Sequence, residues 1–276
     1  MEHVKPMLGE INERCRCCCG EMFYFSEARI LDIKAIYLQC KNCSSVQVAN
    51  PKWIAMAHSD AISDLDTGLV SRCVSASRLV STILFLEGKQ LASGTDWGGG
   101  TGLLSRLLRD QGYDVKSYDK YTKGIHTVGF NIDLNAAGED ADFIMAIECF
   151  EHLTDPIDTF KTVVQKKDYF IFTTNIITTP PPDPAEYSWW YFMPESGQHI
   201  TFASKQGIEE FKNALGFANY MQIGNLHVMS KHSLKRLTKV VMSLRLLRGI
   251  SIILVPEYLS RKYSLAGDDK KFMTPK

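Results

Sequence analysis

The stretch Thr95-Asp96-Trp97-Gly98-Gly99-Gly100-Thr101-Gly102 runs from a strand-like segment into glycines and then into Leu103, Leu104, Leu107 and Leu108 at helical spacing. Glycine at 98, 100 and 102 lets a strand turn sharply into a helix while its backbone approaches a ligand that side chains would block. The helix is predicted to stop at Gln111-Gly112, and residues 114–118 read as a second short strand that carries Asp119 at its tip. An acid about 20 residues beyond such a turn is placed to accept the hydroxyl hydrogens of a ribose. The spacing therefore predicts a nucleotide-type pocket built from Asp96, Gly98, Gly100, Gly102 and Asp119. The bland alternative is a tight turn that binds nothing.

Asp96 discriminates between ligands. A carboxylate just before the glycines would repel a diphosphate but can take part in binding a molecule that carries a sulfonium and an ammonium, which favours S-adenosylmethionine over NAD. These residues resemble the first motif of the class I S-adenosylmethionine-dependent methyltransferases: acid, any, glycine, any, glycine, any, glycine. Residues 141–156, with Glu148, Glu151, His152 and Asp155-Pro156, resemble that family's fourth strand and following turn, and residues 168–174 resemble its fifth strand. The resemblance implies S-adenosylmethionine as cofactor and an α/β fold: a doubly wound, seven-stranded Rossmann-like methyltransferase sheet with a small N-terminal zinc ribbon. Glu148, at the carboxyl edge of the sheet, is expected to line the cofactor pocket. His152 is expected to order its loop, with a role as base held in reserve, and Asp133 to reach the adenine.

Six of the cysteines gather near the N-terminus. Cys15, Cys18, Cys40 and Cys43 form two C-x-x-C pairs that bracket a strand-like stretch, spacing that suits a closed tetrahedral zinc site of structural type. A segment this small has too little apolar area to fold without such a staple. Cys19 stands where a knuckle's glycine usually does, so Cys17 or Cys19 can substitute as ligand; buried or free thiols are the alternative. Cys73 and Cys149 read as core residues.

Residues 179–202 fit neither a helical nor a strand period. Prolines stiffen the start, and Tyr187, Trp189, Trp190, Tyr191 and Phe192 are costly to leave in water unless they cover a pocket or meet a flat apolar ligand. Sugar rings offer apolar faces to Trp189 and Trp190 and hydroxyls to Glu195, Gln198 and His199, so this loop is expected to recognise a small-molecule or glycan substrate, against the alternative of a structural loop packed on the sheet. His199 is the candidate base, since imidazole titrates near neutrality, with Glu195 orienting it or accepting a sugar hydroxyl. Paired tryptophans before a Gly-Gln-His turn resemble bacterial methyltransferases of glycan and sugar pathways. The ribbon and acid-histidine loop resemble sugar C-methyltransferases, whose additional C-terminal domain this chain is too short to hold; an O-methyltransferase is the resulting expectation. An RNA methyltransferase and a catalytically silent binding module are the rivals.

Four regions must position these groups: residues 1–52 as the ribbon, 53–90 as a helical connector or cap, 91–230 as the methyltransferase core, and 231–276 as a basic amphipathic helix and loose tail. Apolar residues from Ile62 to Ile83 follow one helical face, with Gly68 a break and His58, Asp60 and Asp64 either facing the site or solvated. The third strand is expected at residues 126–130, and Gly224-Asn225 as the hairpin turn between the last two strands. With 45% hydrophobic and 22% charged residues the chain can bury one α/β core, and 31 basic against 31 acidic residues give no global field for nucleic acid or an anionic membrane. Residues 240–255 are interrupted by Arg245 and Arg248, which argues against a membrane span, and the N-terminus lacks the parts of a signal peptide; a cytoplasmic location is expected. The apolar face of the basic helix is expected to pack on the core, with a homodimer interface or a contact with an anionic lipid-linked or nucleotide-linked substrate as its other uses.

Overall fold

The computed structural model describes residues 13–57, 67–134 and 141–273. His58, Asp60 and Asp64 lie outside the described residues. The central sheet is assembled from β4 (Ser93–Trp97), β5 (Asp114–Tyr118), β6 (Phe143–Ala146), β7 (Tyr169–Thr173), β9 (Asn219–Ile223) and β10 (Leu226–Ser230). Its order is β5-β4-β6-β7-β10-β9, parallel from β5 to β7 and antiparallel from β7 to β9. β6 and β7 are buried along their whole length, as continuous apolar runs in a covered parallel sheet should be. β4 carries small and polar residues because Phe143 of the neighbouring strand packs against Gly94, where any Cβ would run into its ring. That contact explains how a stretch with so little intrinsic strand signal occupies the middle of the sheet.

The expected strand at residues 126–130 is instead, among the described residues, a single parallel bridge between Ser117 and Asn131. Two bonds make it: Ser117 N donates to Phe130 O (2.9 Å) and Ile132 N to Ser117 O (2.9 Å). A side-chain network competes with extended pairing here. Thr127 Oγ1 donates to Asn131 Oδ1 (2.6 Å), Asn131 Nδ2 donates to Gly124 O (3.0 Å), and Gly129 sits at φ 86°. The described sheet thus has six strands and this bridge rather than seven strands.

α2 (Leu69–Leu86), after a short α1 (Ile54–Ala57), and α3 (Leu103–Arg109) cover one face of the sheet, α2 burying Ala76, Val80, Ile83 and Leu84. By length and apolarity alone α2 would also suit a membrane span, but these residues belong to the protein core. On the other face lie α4 (Pro156–Val163), whose Phe160 is fully buried, and α5 (Lys205–Ala214), capped by Ser204 Oγ accepting from Gly207 N (2.9 Å). Asp155 holds the N-cap position of α4, yet its side chain makes no capping hydrogen bond.

The N-terminal region forms a second sheet of β1 (Met22–Ile30), β2 (Ile33–Cys40) and β3 (Val46–Val48), joined by β8 (Thr201–Phe202) from far along the chain. The β1–β2 hairpin turns on Leu31 and Asp32, both at positive φ (47° and 60°), as a two-residue turn matched to strand twist requires. β8 is locked from the ribbon side. The buried Arg16 guanidinium donates to Ile200 O (2.6 Å), Thr201 Oγ1 (3.2 Å) and Val48 O (2.9 Å). Tyr37, Val46 and Val48 of the ribbon share one apolar cluster with Tyr191, Phe192 and Phe202. The ribbon is therefore a wall of the core rather than an appendage to it.

The C-terminal stretch folds as α6 (Arg236–Ser243), α7 (Arg245–Tyr263) and α8 (Ala266–Met273), not as one helix with a loose tail. Asp269 of α8 is buried and accepts from Arg106 Nη1 (2.6 Å), Arg109 Nε (2.8 Å) and Arg109 Nη2 (2.7 Å).

Candidate active site

A groove of about 2750 Å³ runs along the carboxyl ends of β4, β5 and β6, bounded on the far side by the loop before β8. Asp96, next to last in β4, is almost fully buried and accepts a hydrogen bond from Ser105 Oγ (2.8 Å). Burial pushes its carboxyl up to about 7; the Ser105 hydroxyl offsets part of that shift and the charge of Asp119 adds to it. Gly98, Gly100 and Gly102 take φ of 71°, 55° and 79°, the left-handed region that a side chain would resist. A Cβ built on Gly100 meets nothing within 4 Å, so a side chain there would stand in the groove, whereas one on Gly102 would strike Thr127. Asp119 holds this loop in shape: Oδ2 accepts from Gly100 N (2.9 Å) and Oδ1 from Tyr121 N and Thr122 N (2.7 Å each). Bare backbone on one side, with carboxylates at Asp96 and Asp119, is a donor set that fits S-adenosylmethionine.

Glu148 stands one turn beyond β6 at positive φ (52°). Its N–H donates to Thr173 Oγ1 (2.7 Å), that hydroxyl donates back to Glu148 Oε1 (2.8 Å), and Arg72 Nε of α2 lies 3.3 Å from Oε2. Arg72 also lines the groove, and nothing in its own helical segment marked it as a site residue.

Three residues later a second cluster begins. One carboxylate oxygen of Glu151 and one ring nitrogen each of His152 and His199 lie within 4.8 Å of one another. Glu151 and His152 sit in the 3₁₀ turn Phe150–His152, and His199 precedes β8. Two hydrogen bonds bring them together: Ile200 N donates to Glu151 O (2.9 Å), and the Thr201 Oγ1 hydroxyl donates to Leu153 O (2.9 Å). His199 Nδ1 is 2.7 Å from Tyr191 O, so the Tyr191 carbonyl occupies the orienting position expected for Glu195, which lines the groove. A carbonyl only accepts, so Nδ1 carries the proton and Nε2 keeps its lone pair. Burial holds His199 neutral, its pKa lowered to about 4. Glu151 is wholly buried, and burial together with the charge of Glu148 raises it to about 8.

The aromatic loop divides its work. Tyr191 and Phe192 are buried against the ribbon, and Trp189 packs on Tyr191, Phe192 and Phe202 with ring centroids 5.1, 5.2 and 5.9 Å apart. Trp190 is 69% exposed at the groove, where it is free to meet a ligand. Gln198 lines the groove too, but its Nε2 donates to Ala57 O (2.8 Å), so the amide ties the loop to α1. The loop is packed at its base and open at its rim, which joins the two readings the sequence left apart.

At the N-terminus, Cys15, Cys18, Cys40 and Cys43 bring their sulfurs within 4.8 Å of one another. The Cys15–Cys43 and Cys18–Cys40 pairs are 3.5 Å apart, close to the ~3.8 Å that Zn–S bonds of ~2.3 Å give in a tetrahedron. Backbone N–H groups of Cys17, Asn42 and Cys43 point at sulfur (3.4, 3.4 and 3.5 Å), as they do where thiolates are held for a metal. Cys19 takes the left-handed position (φ 58°) and is exposed, and Cys17 is buried outside this foursome.

A family model described as a methyltransferase domain matches residues 75–222. No curated protein matches the chain. Among solved structures, a possible histamine N-methyltransferase from Thermotoga maritima is similar at 15% identity, covering 65% of this chain and 100% of that one, with a TM-score of 0.46. An O-methyltransferase family protein from Burkholderia thailandensis is similar at 15% identity, over 64% of this chain and 60% of that one, with a TM-score of 0.45. Magnesium protoporphyrin IX methyltransferase from Synechocystis is similar at 14% identity, over 63% and 90%, with a TM-score of 0.43. The domain match spans more than half of the 276 residues and contains the glycine loop, Asp119 and the Glu151-His152 turn, so the chain belongs to the methyltransferase-domain family as an S-adenosylmethionine-dependent enzyme.

Proposed function

We propose that this enzyme methylates a hydroxyl group of a sugar or glycan-pathway small molecule, in the cytoplasm, and that zinc held by Cys15, Cys18, Cys40 and Cys43 is structural. The observation that carries the reading is one continuous groove that joins the glycine loop to His152, His199 and the exposed ring of Trp190. When bound, S-adenosylmethionine supplies an electrophilic methyl group on a sulfonium. Asp96, Gly98, Gly100, Gly102, Asp119 and Glu148 are the residues proposed to hold it. Trp190 offers an aromatic face to a sugar ring, and Glu195 and Gln198 stand along the same rim. His199 Nε2 is the proposed acceptor for the proton of the reacting hydroxyl, because the Tyr191 carbonyl keeps the proton on the other nitrogen. Alignment does the rest: a methyl group and a nucleophile held in line need little further help from the protein. The ribbon and β8 support this side of the groove through Arg16.

The test begins with the cofactor. Calorimetry with S-adenosylhomocysteine should give micromolar binding for the wild type and at least a tenfold loss for Asp119→Ala, on the order of 1.4 kcal/mol. Nucleotide sugars and glycans are then screened as methyl acceptors, with RNA as control. Methylation of RNA alone would overturn the sugar reading, and absence of cofactor binding would remove the basis for catalysis.

A further inference from the structure

We propose that Glu151, His152 and His199 form a binding site for a first-row divalent transition-metal ion, separate from the four-cysteine cluster and opening on the groove. The ligand atoms lie within 4.8 Å of one another, and an ion bonded to each at ~2.1 Å holds them no more than ~4.2 Å apart. Side-chain shifts of under about an ångström therefore close the site.

Glu151 is the second observation. It is wholly buried, and among the described residues neither carboxylate oxygen has a partner in good hydrogen-bond geometry; the Tyr191 phenol beside it is shared with Thr174 Oγ1 (3.2 Å). Buried carboxylates are normally satisfied, and a cation would satisfy this one. His199 is prepared in the way metal-bound imidazoles are. Its Nδ1–H is anchored on the Tyr191 carbonyl at 2.7 Å, which fixes the ring and leaves Nε2 as the donor. The two chain segments that carry the ligands are tied to each other by the bond from Ile200 N to Glu151 O (2.9 Å).

Two imidazole nitrogens and one carboxylate oxygen suit manganese, iron, cobalt or zinc better than calcium or magnesium. Three protein ligands leave coordination positions open, and His152 and His199 line the groove. If the proposed hydroxyl methylation is correct, those positions take the acceptor's oxygen, the ion lowers that hydroxyl's pKa so that its proton is released to water in the groove, and His199 then serves as a ligand instead of a base. The metal site itself does not depend on the identity of the acceptor.

The experiment uses the full chain, purified with zinc so that the cysteine cluster is filled, and titrates Mn²⁺ by electron paramagnetic resonance. The expected result is one additional Mn²⁺ per chain, with affinity reduced at least tenfold in Glu151→Gln and in His199→Gln. Co²⁺ added in the same way should show d–d absorption without a sulfur-to-cobalt charge-transfer band. Circular dichroism and a cooperative thermal transition show that each variant is folded, and His152→Asn replaces any variant that is not. Absence of Mn²⁺ and Co²⁺ uptake beyond the cysteine cluster, or equal affinity in wild type and folded variants, overturns the proposal. Metal uptake without S-adenosylhomocysteine binding would uphold this site while removing the methyl-transfer reading.

Discussion

Asp96 carries a carboxyl that folding places in a dry position, with its pKa raised from 3.8 to about 7. The folded chain holds that proton more tightly than the unfolded one, so the contribution to stability is complete below about pH 4 and is lost as pH rises through about 7. Between pH 6 and 8 the loss is about 1 kcal/mol. Urea titrations at the two pH values should show it, and Asp96→Asn should flatten it; identical slopes in both proteins would refute the assignment. Some slope should persist in the variant, because Glu151 is shifted in the same direction, to about 8. Substituting His199→Ala is expected to lower kcat by ~10²–10⁴ while cofactor affinity stays within about twofold. Parallel loss of both would mean that the residue supports the fold and not the reaction.

The element that decides the shape of the substrate side is β8, a strand of only two residues. It is too short to be recognised by alternation, and its partner β3 lies about 150 residues earlier, so no local window predicts the pairing. Arg16 makes the pairing durable by neutralising three oxygen acceptors at the seam. Arg16→Ala should cost about 2–3 kcal/mol, the penalty for leaving buried carbonyls unpaired. Amide hydrogen exchange at Thr201 and Phe202 should speed up well before that of β6; unchanged protection there would show that the clamp is dispensable. If the four cysteines hold zinc as proposed, chelating it, or replacing Cys40 with serine, should loosen the same strand and reduce methyl transfer without abolishing cofactor binding. The glycine loop and Asp119 are attached to β4 and β5, not to the ribbon. Simultaneous loss of cofactor binding would contradict that separation.

At the scale of the whole molecule, α8 returns to the helix that follows the glycine loop. Asp269 meets Arg106 and Arg109 of α3, and Arg109 also stacks over Phe130 at 3.6 Å and pairs with Asp114. Asp269→Ala takes the buried partner from the Arg109 guanidinium, leaving it only the half-exposed Asp114, and should destabilise the protein by about 3 kcal/mol in urea. A change below about 0.5 kcal/mol would reduce the contact to an incidental one. Elsewhere on α6 and α7, Leu237, Leu246, Ile253 and Leu254 are each more than half exposed, so the apolar face expected to pack on the core is covered only in part.

Local chemistry determined much of this protein from sequence alone. Glycines at alternate positions, leucines at helical spacing and an acid at the next strand tip are short-range requirements of one turn, so Asp96, Gly98, Gly100, Gly102 and Asp119 could be read together. The two C-x-x-C pairs were legible for the same reason, since a tetrahedral sulfur site is written in short spacings. Tertiary structure decided the rest. Phe143 over Gly94 made a strand from a weak segment, and the Thr127–Asn131–Gly124 network turned an expected strand into a bridge. The approach of His199 to Glu151 and His152 likewise depends on two hydrogen bonds across a long stretch of chain. Such pairings are selected by burial and by the need to satisfy buried polar groups, which are properties of the assembled core and of no single window of sequence.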